Sequence, residues 1–264
     1  MTKRKELGQH FLTSRHIIDK IIDVIDPRED ELIVEVGPGK GVLTFPLAGR
    51  CGRLIAVEKD PELIPALLEK KPENAVILEQ DILETDFREL LRRETGPWDT
   101  LKVAGNLPYS ISSPFLFKLL DEQGPVSRGV FLLQKEVAER VAAGPGSKKR
   151  APLSILFELD FRVRIHFTLP PGAFSPPPRV HSALVSLDKR EVPLFAVEDR
   201  EGFRRFLRAA FAERRKTLAN NLKKLGAPGG GVERALAAAS LENSVRAEQV
   251  DTGRLVELFK LLHA

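Results

Sequence analysis

The stretch that most constrains this chain is Leu32-Ile-Val-Glu35-Val36-Gly37-Pro38-Gly39-Lys40-Gly41-Val42-Leu43. An apolar, β-branched run ends in three glycines at alternate positions, and a helix-compatible segment follows. That order reads as strand, tight turn and helix start. Glycine lets the chain turn through φ > 0 and brings the backbone close to a ligand. Backbone N–H groups at the helix start can then hold polar ligand atoms. Taken alone the pattern is weak, because an ordinary strand-to-helix turn also meets it. The spacing is G-x-G-x-G. It departs from the dinucleotide fingerprint G-x-G-x-x-G, since Val42 occupies the third glycine's place.

The residues around this stretch alternate between two periods. Short apolar runs at 32–36, 53–58, 75–78, 101–104 and 129–133 read as strands. Helical spacing appears between them: an isoleucine stripe from Ile17 to Ile25, a segment at 42–47, a helix through about 70 opened by Asp60-Pro61, one opened by Ser113-Pro114, and one at 135–143. A further helix at 153–159 precedes two antiparallel strands at 162–169 and 180–187. Strands alternating with helices predict a doubly wound, Rossmann-like α/β sheet, mostly parallel, with an antiparallel strand near its end. Strands that are apolar throughout fit a sheet covered on both faces. From about 191 the pattern is helical only, so a boundary near 190 is expected, with a small all-α domain at 191–264.

Composition narrows the class. The chain has 264 residues, 42% hydrophobic and 30% charged, with a formal charge of +4. These values describe a globular protein with a sizeable core. No apolar run reaches the ~20 residues of a membrane span, and no apolar segment follows the basic start, so neither a membrane anchor nor a secretory signal is expected. A single cysteine, Cys51, excludes an internal disulfide framework and a Cys-rich metal site. The expected setting is cytoplasmic, without metal. Charge is concentrated at 200–224, where nine basic residues face Glu201 and Glu213 only. Arg204, Arg208, Arg214, Arg215, Lys216 and Lys223 are candidate phosphate contacts, with Lys148, Lys149 and Arg150 in a second basic loop.

Ligands of doubly wound sheets bind outside the carboxyl ends of strands. The glycine turn, Glu58, Asp81 and Asn106 all fall there. Glu58 can accept hydrogen bonds from both hydroxyls of a ribose, and Asp81 one from an adenine amine. Each alone could equally be a helix cap. Together they describe a ligand with ribose and adenine and little phosphate; no P-loop motif is present. In Asn106-Leu107-Pro108-Tyr109, proline holds Leu107 extended, so its carbonyl projects beside the Asn106 amide. Two adjacent acceptors suit an NH₂ donor, and Tyr109 offers a face for a base. An NAD-dependent oxidoreductase would share the fold and Glu58. It is disfavoured by Val42 and leaves 106–109 without a purpose. A methyltransferase of small amines is disfavoured by the basic second domain.

The series Glu35-x-Gly37-x-Gly39-x-Gly41, Glu58, Asp81 and Asn106–Tyr109 resembles that of S-adenosylmethionine-dependent adenine-N6 methyltransferases. Gly8-Gln-His-Phe-Leu12, Phe174-Ser-Pro-Pro-Pro-Arg-Val-His-Ser-Ala-Leu184 and Glu213-Arg-Arg-Lys-Thr-Leu-Ala-Asn-Asn-Leu222 are similar to motifs of the ribosomal RNA adenine dimethyltransferases. That family also includes the erythromycin-resistance rRNA methyltransferases. The resemblance runs over essentially the whole chain. It implies S-adenosyl-L-methionine as methyl donor and dimethylation of N6 on two adjacent adenosines near the 3′ end of small-subunit rRNA, in a pre-30S particle, by a monomer. It also implies residue roles. His10 and Leu12 would line the methionine side of the cofactor with Gln9 nearby, Gly37 and Gly39 its backbone, Glu58 its ribose, and Asp81 and Ile82 its adenine. Asn106, Leu107, Pro108 and Tyr109 would hold the target adenine, with Asn106 also near the cofactor and Phe174 stacking from the other side. His10 is a departure, since many members carry Asn there.

Overall fold

A computed structural model describes residues 10–225 and 230–263. In chain order it contains β1 (Phe11–Leu12), α1 (Arg15–Ile25), β2 (Leu32–Val36), α2 (Thr44–Ala48), β3 (Arg53–Glu58), α3 (Ile64–Glu69) and β4 (Ala75–Glu79). There follow α4 (Phe87–Arg93), β5 (Leu101–Asn106), α5 (Ser112–Asp121), β6 (Val126–Gln134), α6 (Lys135–Val141) and α7 (Pro152–Asp160). β7 (Phe161–Leu169), β8 (Phe174–Ser175) and β9 (Ser182–Lys189) complete the strands. The helices α8 (Arg200–Ala210), α9 (Leu218–Leu222), α10 (Gly231–Ala238) and α11 (Thr252–His263) end the chain.

Seven strands form one sheet in the order β4-β3-β2-β5-β6-β9-β7. β4 to β6 run parallel, and β9 runs antiparallel to β6, with Arg128 opposite Asp188 and Gln134 opposite Ser182. The order reverses between β2 and β5, which puts a crevice at their carboxyl ends, where the special residues lie. The five strands expected to alternate with helices all form, 32–36 and 53–58 with the expected bounds and the other three longer by one to four residues. Their apolar character follows from double coverage: every residue of β2 is buried. α1 buries Ile18, Ile21, Ile22 and Ile25 on one stripe, each contributing ~1.5–3 kcal/mol. It ends at Asp26, in the left-handed region, just before Pro27.

The expected helix at 42–47 begins only at Thr44. Three successive φ > 0 glycines lengthen the turn and delay the first helical hydrogen bond. The helix opened by Asp60-Pro61 likewise settles at Ile64, after a turn in which the Asp60 side chain accepts from the Glu62 N–H at 3.1 Å. The pair β1 and β8 has no clear periodicity in the sequence. Each strand is two residues long, with Leu12 opposite Phe174 and Phe11 opposite Ser175, and so is defined only by its partner.

The chain divides into two compact units. The first comprises the described residues up to Ala138 with Val163–Lys189; the second comprises Glu139–Arg162 with the described residues from Arg190 onward. The segment 139–162 thus belongs with the helical unit, on the other side of the boundary expected near residue 190. The reason is packing. Helix α7 buries Leu153, Ile155, Leu156, Phe157 and Leu159 and meets α8 and α11. Asp160 at its end accepts from both terminal guanidinium nitrogens of Arg200, at 2.6 and 2.9 Å.

Candidate active site

The glycine turn is built as its spacing requires. Gly37, Gly39 and Gly41 have φ of 64, 60 and 79°, a region other residues rarely adopt. At Gly39 space also excludes a side chain, because a Cβ would stand 2.8 Å from Cε1 of Phe11. The turn is tied to its neighbouring strand: the Gly37 N–H donates to the Val57 carbonyl at 2.9 Å. The Glu58 carboxylate accepts from the Gly39 N–H at 3.0 Å and the Asp60 N–H at 2.9 Å. Glu58 is buried, and that burial raises its pKa against the pull of these N–H donors.

Two adjoining cavities open along these strand ends. The first is lined by His10, Leu12, Glu35, Gly37, Gly39, Glu58 and all of Asn106–Tyr109. The second is lined by Gly37, Glu58, Lys59, Asp81, Ile82, Pro108 and Ile111. Gly37, Glu58 and Pro108 line both. With open solvent at their mouths, their empty volumes are about 580 and 700 Å³. Asp81 is a cap as well as a pocket wall. Its carboxylate accepts from the Leu83 N–H at 2.9 Å and from the Lys59 ammonium at 2.7 Å. Burial pushes its pKa up, but Lys59 and Leu83 outweigh burial and hold the carboxyl below its usual range.

Asn106 ends β5, and its Nδ2 donates to the His10 carbonyl at 2.6 Å. Only the NH₂ half of the amide can do this, so Oδ1 is left as the acceptor. The His10 ring is set by its Nδ1, which donates to the Pro176 carbonyl at 2.7 Å, and lies 5.3 Å from the Tyr109 ring. Leu107 is anchored by its N–H to the Leu132 carbonyl at 3.3 Å. The Pro108 carbonyl accepts from the Ile111 N–H at 3.1 Å and the Ser112 hydroxyl at 3.2 Å. Tyr109 is half-buried, with its hydroxyl 2.7 Å from that of Ser182. Burial raises the phenol's pKa, so it stays a neutral ring.

A family model for ribosomal RNA adenine dimethylase matches residues 1–264. The chain is a member of the ribosomal RNA adenine dimethylases. Among curated relatives, "Ribosomal RNA small subunit methyltransferase A" of Geobacter metallireducens is 46% identical over 265 residues, spanning 99% of this chain and 96% of that protein. The protein of the same name from Xanthomonas euvesicatoria is 42% identical, spanning 97% and 94%. The crystal structure of the 23S rRNA methyltransferase ErmE matches with TM-score 0.73 and 25% identity over 96% of this chain and all of that one. A dimethyladenosine transferase from Plasmodium falciparum shares the fold, with TM-score 0.75 at 24% identity over 94% of this chain and 96% of that one.

Other expected site residues of this dimethylase fall in varied places. Gln9 lies outside the described residues. Phe174 is only 4% exposed, in the core cluster with Leu12, Leu169 and Ala173, and does not line either cavity. Arg150 is a correction. Its side chain is fully buried, donating to the Ala143 carbonyl at 3.1 Å and the Thr252 hydroxyl at 2.8 Å, with the Glu158 carboxylate 3.2 Å away. A guanidinium so enclosed has no face for a phosphate; it knits the helical unit together. Its neighbour Lys148 is exposed, and Lys149 pairs with Glu139. Arg208, Arg214, Arg215 and Lys216 are exposed and Arg204 is half-buried. Lys223 is paired with Glu233 at 2.6 Å.

Three further residues belong to the site. Glu35 precedes the glycine turn on β2. It is 1% exposed, lines the first cavity, and its Oε2 has no hydrogen-bond partner among the described residues. Burial pushes its pKa up to about 8, with the Glu58 charge adding to the shift. Lys59 and Ser182 orient Asp81 and Tyr109 from 22 and 73 residues away, a relation no local signal could reveal.

Proposed function

We propose that this dimethylase transfers methyl groups from S-adenosyl-L-methionine to N6 of two adjacent adenosines near the 3′ end of small-subunit rRNA, giving N6,N6-dimethyladenosines. The names of the relatives support the small-subunit target. The observation that carries the chemistry is the orientation of Asn106, whose Nδ2 is committed to the His10 carbonyl at 2.6 Å while Oδ1 remains an acceptor beside the cavity.

The residues fit the cofactor. A glycine turn admits close backbone approach, Glu58 and Asp81 supply acceptors at successive strand ends, and the buried Oε2 of Glu35 awaits a polar partner. When bound, S-adenosylmethionine supplies an electrophilic methyl group on a sulfonium. Gly37, Gly39, His10 and Leu12 would enclose its methionine side, Glu58 its ribose, and Asp81 and Ile82 its adenine.

The target amine is a poor nucleophile because its lone pair is delocalised into the ring. Asn106 Oδ1 and the Leu107 carbonyl would accept its two N–H groups and localise that lone pair. These contacts strengthen as positive charge develops on nitrogen, so they favour the transition state over the ground state. Pro108 keeps the two acceptors in fixed relation, and their positioning supplies part of the rate. The alkylated amine loses its proton readily to water, so no dedicated base is required. Tyr109 would stack on the extruded base and offset the cost of unstacking, with Phe174 on its other face. Lys148, Arg204, Arg208, Arg214, Arg215, Lys216 and Lys223 would contact RNA phosphates. The substrate is a pre-30S particle in the cytoplasm, and the enzyme acts as a monomer.

The test is methylation with tritiated S-adenosylmethionine of unmodified small subunits, large subunits and naked rRNA, followed by mapping of the modified nucleoside. Label in dimethyladenosine of the small subunit is expected. Label in the large subunit instead would refute the assignment.

A further inference from the structure

The basic segment Glu213-Arg214-Arg215-Lys216 lies between α8 and α9, and its four side chains line a surface concavity. Arg214, Arg215 and Lys216 are exposed and make no ion pair among the described residues, while the one acid, Glu213, is engaged by Lys224. A loop with three adjacent like charges would ordinarily splay apart. Here the backbone is closed into a turn, the Lys216 N–H donating to the Glu213 carbonyl at 3.0 Å. Thr217 then caps α9, and the Leu218 N–H reaches the Val245 carbonyl at 2.8 Å.

One side chain ties the start of this turn to the end of α8 from within. Asn221 is 2% exposed, and its Nδ2 donates to the Ala210 carbonyl at 2.8 Å and to the Glu213 carbonyl at 3.2 Å. The first is the last residue of α8; the second opens the basic turn. Its Oδ1 is buried with no partner among the described residues. Burying an unsatisfied acceptor is costly, and an apolar side chain of the same branching would avoid that cost. Packing alone therefore does not explain an amide at this position; two donated hydrogen bonds, one to the end of α8 and one to the basic turn, do.

We infer that Asn221 is a positioning residue for RNA, holding Glu213–Lys216 as a pre-formed cationic cradle for backbone phosphates. Pre-forming the cradle removes the ordering cost that a mobile basic loop would incur on binding. The inference rests on the reading of this turn as an RNA contact.

A double-mutant cycle on the full chain tests it. Wild type, Asn221→Leu, the triple variant R214A/R215A/K216A, and the combination are compared for binding to unmodified small ribosomal subunits across salt, alongside thermal melting. The triple variant is expected to bind at least tenfold more weakly at ~0.15 M salt, with a salt slope smaller by ~2–3. Asn221→Leu is expected to raise KM for the particle several-fold, with kcat and S-adenosylmethionine affinity unchanged. In the triple background it should add nothing, because the cradle it holds is already empty of charge. Wild-type affinity in Asn221→Leu, or the same penalty in both backgrounds, would overturn the inference alone. Wild-type affinity in the triple variant would overturn the RNA reading of the turn and the inference with it. In the wild-type protein, ¹⁵N relaxation should find the 214–216 amides as rigid as α8; order parameters below ~0.6 would overturn the clamp whatever the variants do.

Discussion

The side-chain amide of Asn106 donates to the main-chain carbonyl of His10 at 2.6 Å, joining the end of β5 to a residue 96 positions earlier in the chain. The residue proposed to offer its oxygen to the target amine is therefore aimed by the N-terminal segment. That segment is itself seated by the β1–β8 pair and by the Thr13 N–H and hydroxyl, both donating to the Ala173 carbonyl at 3.2 Å.

We predict that Asn106→Ala removes both the acceptor proposed for the target amine and the donor to the His10 carbonyl. Single-turnover rates on small subunits should fall by roughly 10²–10³-fold, the loss typical of removing one transition-state hydrogen bond. Cofactor affinity, measured by calorimetry, should change far less. Unchanged single-turnover rates would remove Asn106 from this role.

Phe174 is enclosed by Leu12 and the surrounding core, so Phe174→Ala should cost ~3–5 kcal/mol of stability. Phe174→Leu keeps most of the buried volume and separates core packing from base stacking. We predict near-wild-type melting for this variant with weaker engagement of the target base, read as a raised KM for the particle. Full activity on native particles would leave Phe174 a core residue only.

Arg150 and Arg214 should part company. Truncating Arg150 to Ala leaves Glu158 and Thr252 facing a void, a loss expected at ~3–5 kcal/mol. Arg214→Ala, at an exposed site, should change stability by under ~0.5 kcal/mol and lower the salt slope of RNA binding by about one. Chemical denaturation and filter binding on both variants check this. Weakened RNA binding by folded Arg150→Ala would contradict the assignment of a buried structural role.

Glu35 makes stability depend on pH. Its folded-state pKa, pushed to about 8 by burial, lies above the ordinary 4.5. The folded protein thus holds a proton that the unfolded chain releases. The stabilising contribution is complete below about pH 4.5 and is lost as pH rises toward 8. We predict that Glu35→Gln, neutral at every pH, melts like wild type near pH 4.5 and higher than wild type at pH 8–9, by a few kcal/mol. Parallel melting curves across that range would show that Glu35 ionises normally.

A chain ending at residue 190 is not expected to be a clean methyltransferase domain. It would retain α7 but lose α8 and α11, leaving Leu153, Leu156 and Phe157 uncovered. We predict aggregation or dye binding by exposed apolar surface, and the surface triple variant at 214–216 is the better probe of RNA binding. A soluble, monomeric, cofactor-binding truncation would show that α7 does not need its partners.

Local rules govern the backbone elements of this chain. Apolar runs without alternation specify covered strands, alternate glycines specify a φ > 0 turn, and strand–helix alternation specifies a doubly wound sheet. That fold puts Gly37, Glu58, Asp81 and Asn106 at one edge of the sheet, so the pocket walls were legible before any coordinate. Tertiary structure alone decided what each polar group faces. Lys148, Lys149 and Arg150 are a single basic run in the chain, yet the first is exposed, the second paired and the third buried. Asn106 is aimed by a carbonyl 96 residues away, and Asn221 turns inward to hold a loop it follows. Periodicity reports which residues leave water. The partner of a buried hydrogen-bonding group depends on contacts between segments distant in the chain, and no local pattern encodes them.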